Sequence, residues 1–131
     1  MNVSDIRKKI ICLQNQRHES ELKLIRSRSR MEKGSIISIY TACRKGNCKC
    51  TRGEKHGPFL YLNQITRGKL KQRYVGKESD KPTVKRVNAY MDYQKTLAKV
   101  RKITKEMDSL FNLYREKLTI DHEKNIKNGD E

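Results

Sequence analysis

Apolar residues at Ile6, Ile10, Leu13 and Leu24 keep a three–four rhythm along a polar background, which predicts a helix from residue 3 to about 32. Arg17 and Ser20 interrupt that rhythm. Ser4 is the expected N-cap, Asp5 suits the positive end of the helix, and Gly34 suits its termination. The pattern then changes. Ser35–Thr41 (SIISIYT) is β-branched and aromatic and predicts a strand, as does Pro58–Ile65, where Phe59 and Tyr61 alternate with Leu60 and Leu62. Thr66, Arg67 and Gly68 predict a turn into a third strand, Lys69–Val75, so the last two strands should form a hairpin. Alternation there sends Leu70 and Tyr74 one way and Lys69, Lys71 and Arg73 the other.

A second long helix should open at Asp80, with Pro82 in its first turn. Tyr93, Leu97, Val100, Thr104, Met107, Phe111, Tyr114 and Leu118 then alternate between steps of four and three, a coiled-coil seam that Ile103, Leu110 and Leu113 widen. A Met and aromatic stripe at this spacing reads as core. The fold class expected is α+β. Two long helices would form an antiparallel coiled-coil hairpin flanking a small three-stranded β head. The segments are an N-terminal helix (1–33), the head (34–77), a long helix (80–119) and a disordered tail (120–131), in one domain. At 1.5 Å per residue the helices would span about 45 and 55 Å. The first helix has the poorer seam, so the surplus stripe of the second makes a homodimer through that helix an expected partner arrangement.

Charge alters the picture more than any single element. The 131 residues carry a formal net charge of +16, with 35% charged, 34% hydrophobic and 6% aromatic residues and no Trp. So little apolar material suggests an elongated form, and so much positive charge points to a polyanion, with nucleic acid ahead of an acidic protein or an anionic membrane. The plainer alternative is charge that merely solvates long helices. Residues 1–20 hold no apolar run of leader length, and no stretch approaches a membrane span, so a cytoplasmic protein without membrane contact is expected.

Four cysteines in such a chain argue for metal or free thiols rather than disulfides. Cys43, Cys48, Cys50 and His56 follow the spacing C-x4-C-x-C-x5-H, a complete set for a closed tetrahedral Zn2+ site of structural type. The intervening residues are polar and cannot bury themselves, so metal binding would supply the missing stability. Gly46 and Asn47 ease the sharp turn that Cys48 and Cys50 need, and Gly57 and Pro58 would fix the approach of His56. Cys12 stands apart as a small interior residue, although it or water could replace His56 as fourth ligand. Reduced thiols beside a surface histidine are the plain alternative. A Cys/His nucleophile would need an orienting group and a pocket that nothing in the chain suggests. Glu54 is the sole acid between residues 33 and 77, which speaks against paired acid–base or two-metal chemistry and hence against an enzyme.

These motifs carry a resemblance. Gly34, Ser35, Cys43, Cys48, Cys50, Gly53, His56, Gly57, Pro58, Tyr61 and Leu62, with Gly68 and Lys69, resemble an uncharacterised family of small prokaryotic proteins. In that family a Cys-rich segment precedes a His-Gly-Pro-Tyr motif. Phe59 stands here where the family carries Tyr. The resemblance covers about residues 34–118. It implies a metal-site-like core and a setting in phage or mobile-element genes, and it supplies no activity.

Between Arg44 and Lys77 there are ten Lys and Arg against one acid. Arg44, Lys45, Lys49, Arg52, Lys69, Lys71 and Arg73 are the candidate phosphate contacts, with Arg26, Arg28 and Arg30 behind them. Such contacts position a nucleic acid without reading its sequence. Tyr40, Phe59, Tyr61 and Tyr74 could stack bases, or form the core of the sheet. The function expected is a non-catalytic, zinc-stabilised nucleic-acid-binding accessory protein, on DNA or RNA, working with a larger nucleoprotein, recombinase or nuclease. The alternatives are an adaptor, inhibitor or subunit docking a larger complex through its helices and, further off, a small thiol enzyme or redox sensor.

Overall fold

Helix α1 spans Val3–Arg26. Its cap is Asn2, whose side-chain oxygen accepts the Asp5 amide at 2.8 Å while its carbonyl accepts the Ile6 amide at 3.0 Å. An Asn here satisfies a donor that the helix leaves open, and Ser4, the expected cap, lies inside the first turn. Ser20 is buried and so keeps to the inward side of α1, whereas Arg17 is half-buried and pairs with Glu21 at 3.2 Å. After Leu24 the run Arg26–Arg30 offers nothing to bury, and the helix stops at Arg26, short of the expected residue 32.

The computed structural model describes residues 1–42, 46, 48, 53–79 and 81–120. Within it the chain is α+β, with two helices and a three-stranded antiparallel sheet. The fold divides into two compact units: Met1–Arg26 with the chain from Thr96 onward, and Ser27–Lys95. The second helix, α2 (Pro82–Leu118), contributes to both.

In the first unit Ile6, Ile10 and Leu13 of α1 form one buried cluster with Ile103 and Met107 of α2, with Leu110, Leu113 and Tyr114 packed against it. Arg7 donates to the Tyr114 hydroxyl at 3.1 Å, its guanidinium 5.9 Å from the ring centre. The expected α2 seam is therefore displaced. Of its residues, Met107 and Tyr114 join the cluster, whereas Phe111 and Leu118 are 50% and 57% exposed. The flanking Ile103 and Leu110, seven residues apart like Met107 and Tyr114, take the inward positions, so the buried row lies to one side of the expected seam.

In the second unit the sheet consists of β1 (Ser35–Thr41), β2 (His56–Thr66) and β3 (Lys69–Gly76), in that order and antiparallel throughout. The β2–β3 turn is the expected one: Arg67 (φ 53°) and Gly68 (φ 77°) both take positive φ, as a tight two-residue hairpin matched to strand twist requires. Gly34 ends no helix. Its φ is 146°, and a Cβ there would stand 2.8 Å from the Asn63 carbonyl oxygen and 2.8 Å from Leu62 Cδ1, so it lets β1 enter close against β2.

Register defines two faces of the sheet. Leu60, Leu62 and Gln64 share one with Ile36, Ser38, Lys71 and Arg73; Phe59, Tyr61, Asn63 and Ile65 share the other with Ile37, Ile39, Leu70, Gln72 and Tyr74. Burial falls on the first face, at Leu60 and Leu62, and on Val84 and Val87 of α2. Glu32 lies 3.6 Å from Arg73 of β3 and 3.5 Å from Arg86 of α2, and its amide donates to the Arg86 carbonyl at 3.1 Å. Among the described residues, no helix is long and apolar enough to cross a membrane.

Candidate functional site

Two of the four expected metal ligands fall among the described residues, and they are brought together. Cys48 Sγ and His56 Nε2 are 2.9 Å apart. His56 is the first residue of β2, paired with Thr41 across the irregularity that follows Ile39. Gly57 fixes this approach. Its φ is 138°, and a Cβ would sit 2.8 Å from the Ile39 carbonyl oxygen and 3.0 Å from Tyr40 Cδ1, so no other residue fits without displacing β1. Cys43 and Cys50 lie outside the described residues. Among those described, no group of three or more His, Cys, Asp or Glu is placed to hold a metal ion.

Cys12 is not the interior residue expected. It is exposed on α1, with Gln16 Nε2 3.7 Å from its sulfur. It neighbours Leu13 in sequence but falls off the buried stripe of Ile6, Ile10 and Leu13.

The cations divide similarly. Arg44, Lys45, Lys49 and Arg52 lie outside the described residues. Arg26 is the last residue of α1, and Arg28 and Arg30 follow it, exposed, in the other unit. Lys69, Lys71 and Arg73 are all exposed along β3, alternating with Leu70 and Tyr74 as expected. Arg73 is committed in part to Glu32. The charge itself is unevenly spread: residues 27–95 hold 17 Lys and Arg against five Asp and Glu, +12 of the chain's +16.

The aromatic residues do not make the core of the sheet. Phe59, Tyr61 and Tyr74 share the face opposite Leu60 and Leu62. Tyr61 and Tyr74 meet edge-on at 5.3 Å between ring centres, and Phe59 and Tyr74 are tilted at 6.3 Å. Lys77 Nζ lies 5.3 Å from the centre of the Phe59 ring. Sequence alternation misses this lysine because β3 slips register between its pairings with Leu60 and Tyr61. The extra residue turns Gly76 onto the Leu60 face and so Lys77 onto the aromatic one. Beside the rings Gln72 Nε2 donates to Asn63 Oδ1 at 3.0 Å.

A family model described as Domain of unknown function (DUF6788) matches residues 12–86, more than half of the chain. The chain belongs to this family. The DUF6788 match takes in the later part of α1, the cysteine segment, the whole sheet and the first turn of α2. It begins earlier than the expected resemblance and stops before the apolar stripe of α2. No curated protein and no solved structure matches the chain.

Proposed function

We propose that this DUF6788 protein is a non-catalytic nucleic-acid-binding accessory protein that contacts phosphates through the unit formed by residues 27–95. The observation that carries the reading is the charge concentrated there, +12 of the chain's +16. A field of that density attracts a polyanion before any specific contact forms. Arg28, Arg30, Lys69 and Lys71 supply exposed contacts there, with Arg44, Lys45, Lys49 and Arg52 added from the sequence and Arg73 shared with Glu32; Arg26, exposed at the end of α1, directly precedes that unit in the chain.

A structural Zn2+ ion belongs to the same reading, held by Cys43, Cys48, Cys50 and His56. The approach of Cys48 to His56 supports it. So does the chemistry of the set, three thiolates and one imidazole, which suits a closed tetrahedral site. The ion would brace the segment between β1 and β2. The two helices pair in this view as an antiparallel coiled-coil hairpin. Prokaryotic origin, a phage or mobile-element setting and a recombinase or nuclease partner complete the proposal.

Binding measured by fluorescence anisotropy over a series of salt concentrations tests it. If about half of the ten candidate cations contact phosphate, log K should fall with log salt at a slope near −3.5 on single strands or −4.5 on duplex. No binding to either at low salt would overturn the reading. A second reading, docking of a protein partner through α2, is favoured by Phe111 and Leu118, which are exposed on that helix.

A further inference from the structure

We infer that single-stranded nucleic acid is the ligand and that its bases stack on the open aromatic face of the sheet, centred on Tyr74. The inference rests on the nucleic-acid reading above and deepens it. Ile37, Tyr61 and Tyr74 form a direct cross-strand row over all three strands, with Phe59 beside it. The sheet spends its other face on burial, so these rings are surplus to the core. Tyr74 lies on the outer strand and is 48% exposed. Its contacts with Tyr61 and Phe59 are inclined by 61° and 53°, so neither is a parallel stack that would sandwich its ring. An exposed π-face is a platform for any base, and such stacking tolerates sequence variation.

Two further groups suit the same ligand. Lys77, held over Phe59, places a cation at one end of the ring cluster, where a phosphate following a stacked base would pass. At the other end the Gln72–Asn63 hydrogen bond uses one donor and one acceptor. Gln72 Oε1 and Asn63 Nδ2 are then left to face a base edge with an acceptor and a donor. A duplex hides its base faces and cannot use the rings. An acidic protein would meet the cations but has little reason to seek bare aromatic faces.

Because the chain contains no Trp, Tyr74→Trp gives a single reporter that keeps the aromatic face. The full-length variant is titrated with oligothymidylate, oligouridylate and a duplex of equal length, at matched salt. Both single strands should quench the Trp emission, and comparing the two separates DNA from RNA. In parallel, Tyr74→Leu should weaken single-strand binding by about five-fold or more with the salt slope unchanged, since stacking releases no counterions. Lys77→Gln should instead reduce that slope by about 0.7. Unchanged binding by Tyr74→Leu, a silent Trp on a bound oligonucleotide, or a preference for duplex would overturn the stacking inference and leave the charge-based reading standing. Binding of an acidic polypeptide but none of the three nucleic acids would overturn both.

Discussion

Removing metal should unfold one half of this protein and leave the other. In the unit formed by residues 27–95, the buried apolar side chains among the described residues are Leu60, Leu62, Val84 and Val87. At about 1.5–3 kcal/mol each, their burial contributes roughly 6–12 kcal/mol. A structural zinc ion typically supplies an apparent ~10–16 kcal/mol to the folding of a small module. The ion would thus equal or exceed the apolar contribution, and chelation should melt this unit. The cluster of Ile6, Ile10, Leu13, Ile103 and Met107 involves none of the proposed ligands and should persist.

The geometry adds a local expectation. Tetrahedral zinc with bonds of about 2.3 Å to sulfur and 2.05 Å to nitrogen sets a sulfur–nitrogen separation near 3.5 Å. Cys48 and His56 stand at 2.9 Å, within direct contact, so a metal ion must part them by about half an ångström. X-ray absorption of the zinc-loaded protein should resolve three sulfur and one nitrogen neighbours. Cobalt in place of zinc should give the visible bands of a tetrahedral thiolate site, lost in Cys48→Ser and in His56→Asn. Residue-level hydrogen exchange reads the energetic half of the prediction. Amides of β2 and β3 should lose protection with chelator while those of α1 keep it. Strand protection that ignores chelator, with no cobalt spectrum, would refute the argument and leave the cluster as free thiols.

Three substitutions test the packing of the same unit and of the helix pair. Arg67→Asn should raise stability by about 0.5–1 kcal/mol, read in a denaturant titration, because Asn tolerates the positive φ that Arg67 adopts in the hairpin turn. Glu32→Gln removes the anion between Arg73 and Arg86 and should cost about 0.5–1 kcal/mol, a difference that shrinks in high salt because the pairs are partly exposed. Met107→Ala empties the centre of the helical cluster and should cost about 2–5 kcal/mol, with exchange in α1 accelerated more than in β2.

The strands were legible because each has a local cause. Ser35–Thr41 is continuous in β-branched and aromatic residues, and Arg67–Gly68 is a turn that few other structures accommodate. The start of α2 was nearly as local: expected at Asp80 with Pro82 in the first turn, the helix begins at Pro82. What escaped depended on partners. Ser20 interrupts a hydropathy pattern, yet it is buried where its small side chain fits the stripe. The inward residues of α2 depend on which side of its broad apolar stripe α1 meets, which the sequence of that helix alone does not determine. Lys77 joins the aromatic face only because of an extra residue in β3, and strand alternation counted from the sequence puts it on the opposite side. In the cysteine cluster Cys48 and His56, eight residues apart in sequence, stand 2.9 Å from each other. The remaining ligands, Cys43 and Cys50, lie outside the described residues.

The displaced seam of α2 leads to a last prediction. Leu97, Thr104, Phe111 and Leu118 recur every seven residues, so they form a row along one side of the helix. The cluster with α1 draws instead on Ile103, Met107, Leu110, Leu113 and Tyr114, leaving Phe111 and Leu118 largely exposed. A heptad row can complement a copy of itself, because a two-fold axis makes every contact of one residue with another recur with the two copies exchanged. Wild-type protein should therefore self-associate in sedimentation measurements as concentration rises. Phe111→Glu should abolish that association without lowering the melting temperature, since the residue adds little to the intrachain core. A wild-type protein that sediments as a monomer at every concentration would show that this row does not meet a second copy. The exposed stripe would then favour docking of a different protein, and α2 rather than the sheet would become the first place to seek a partner.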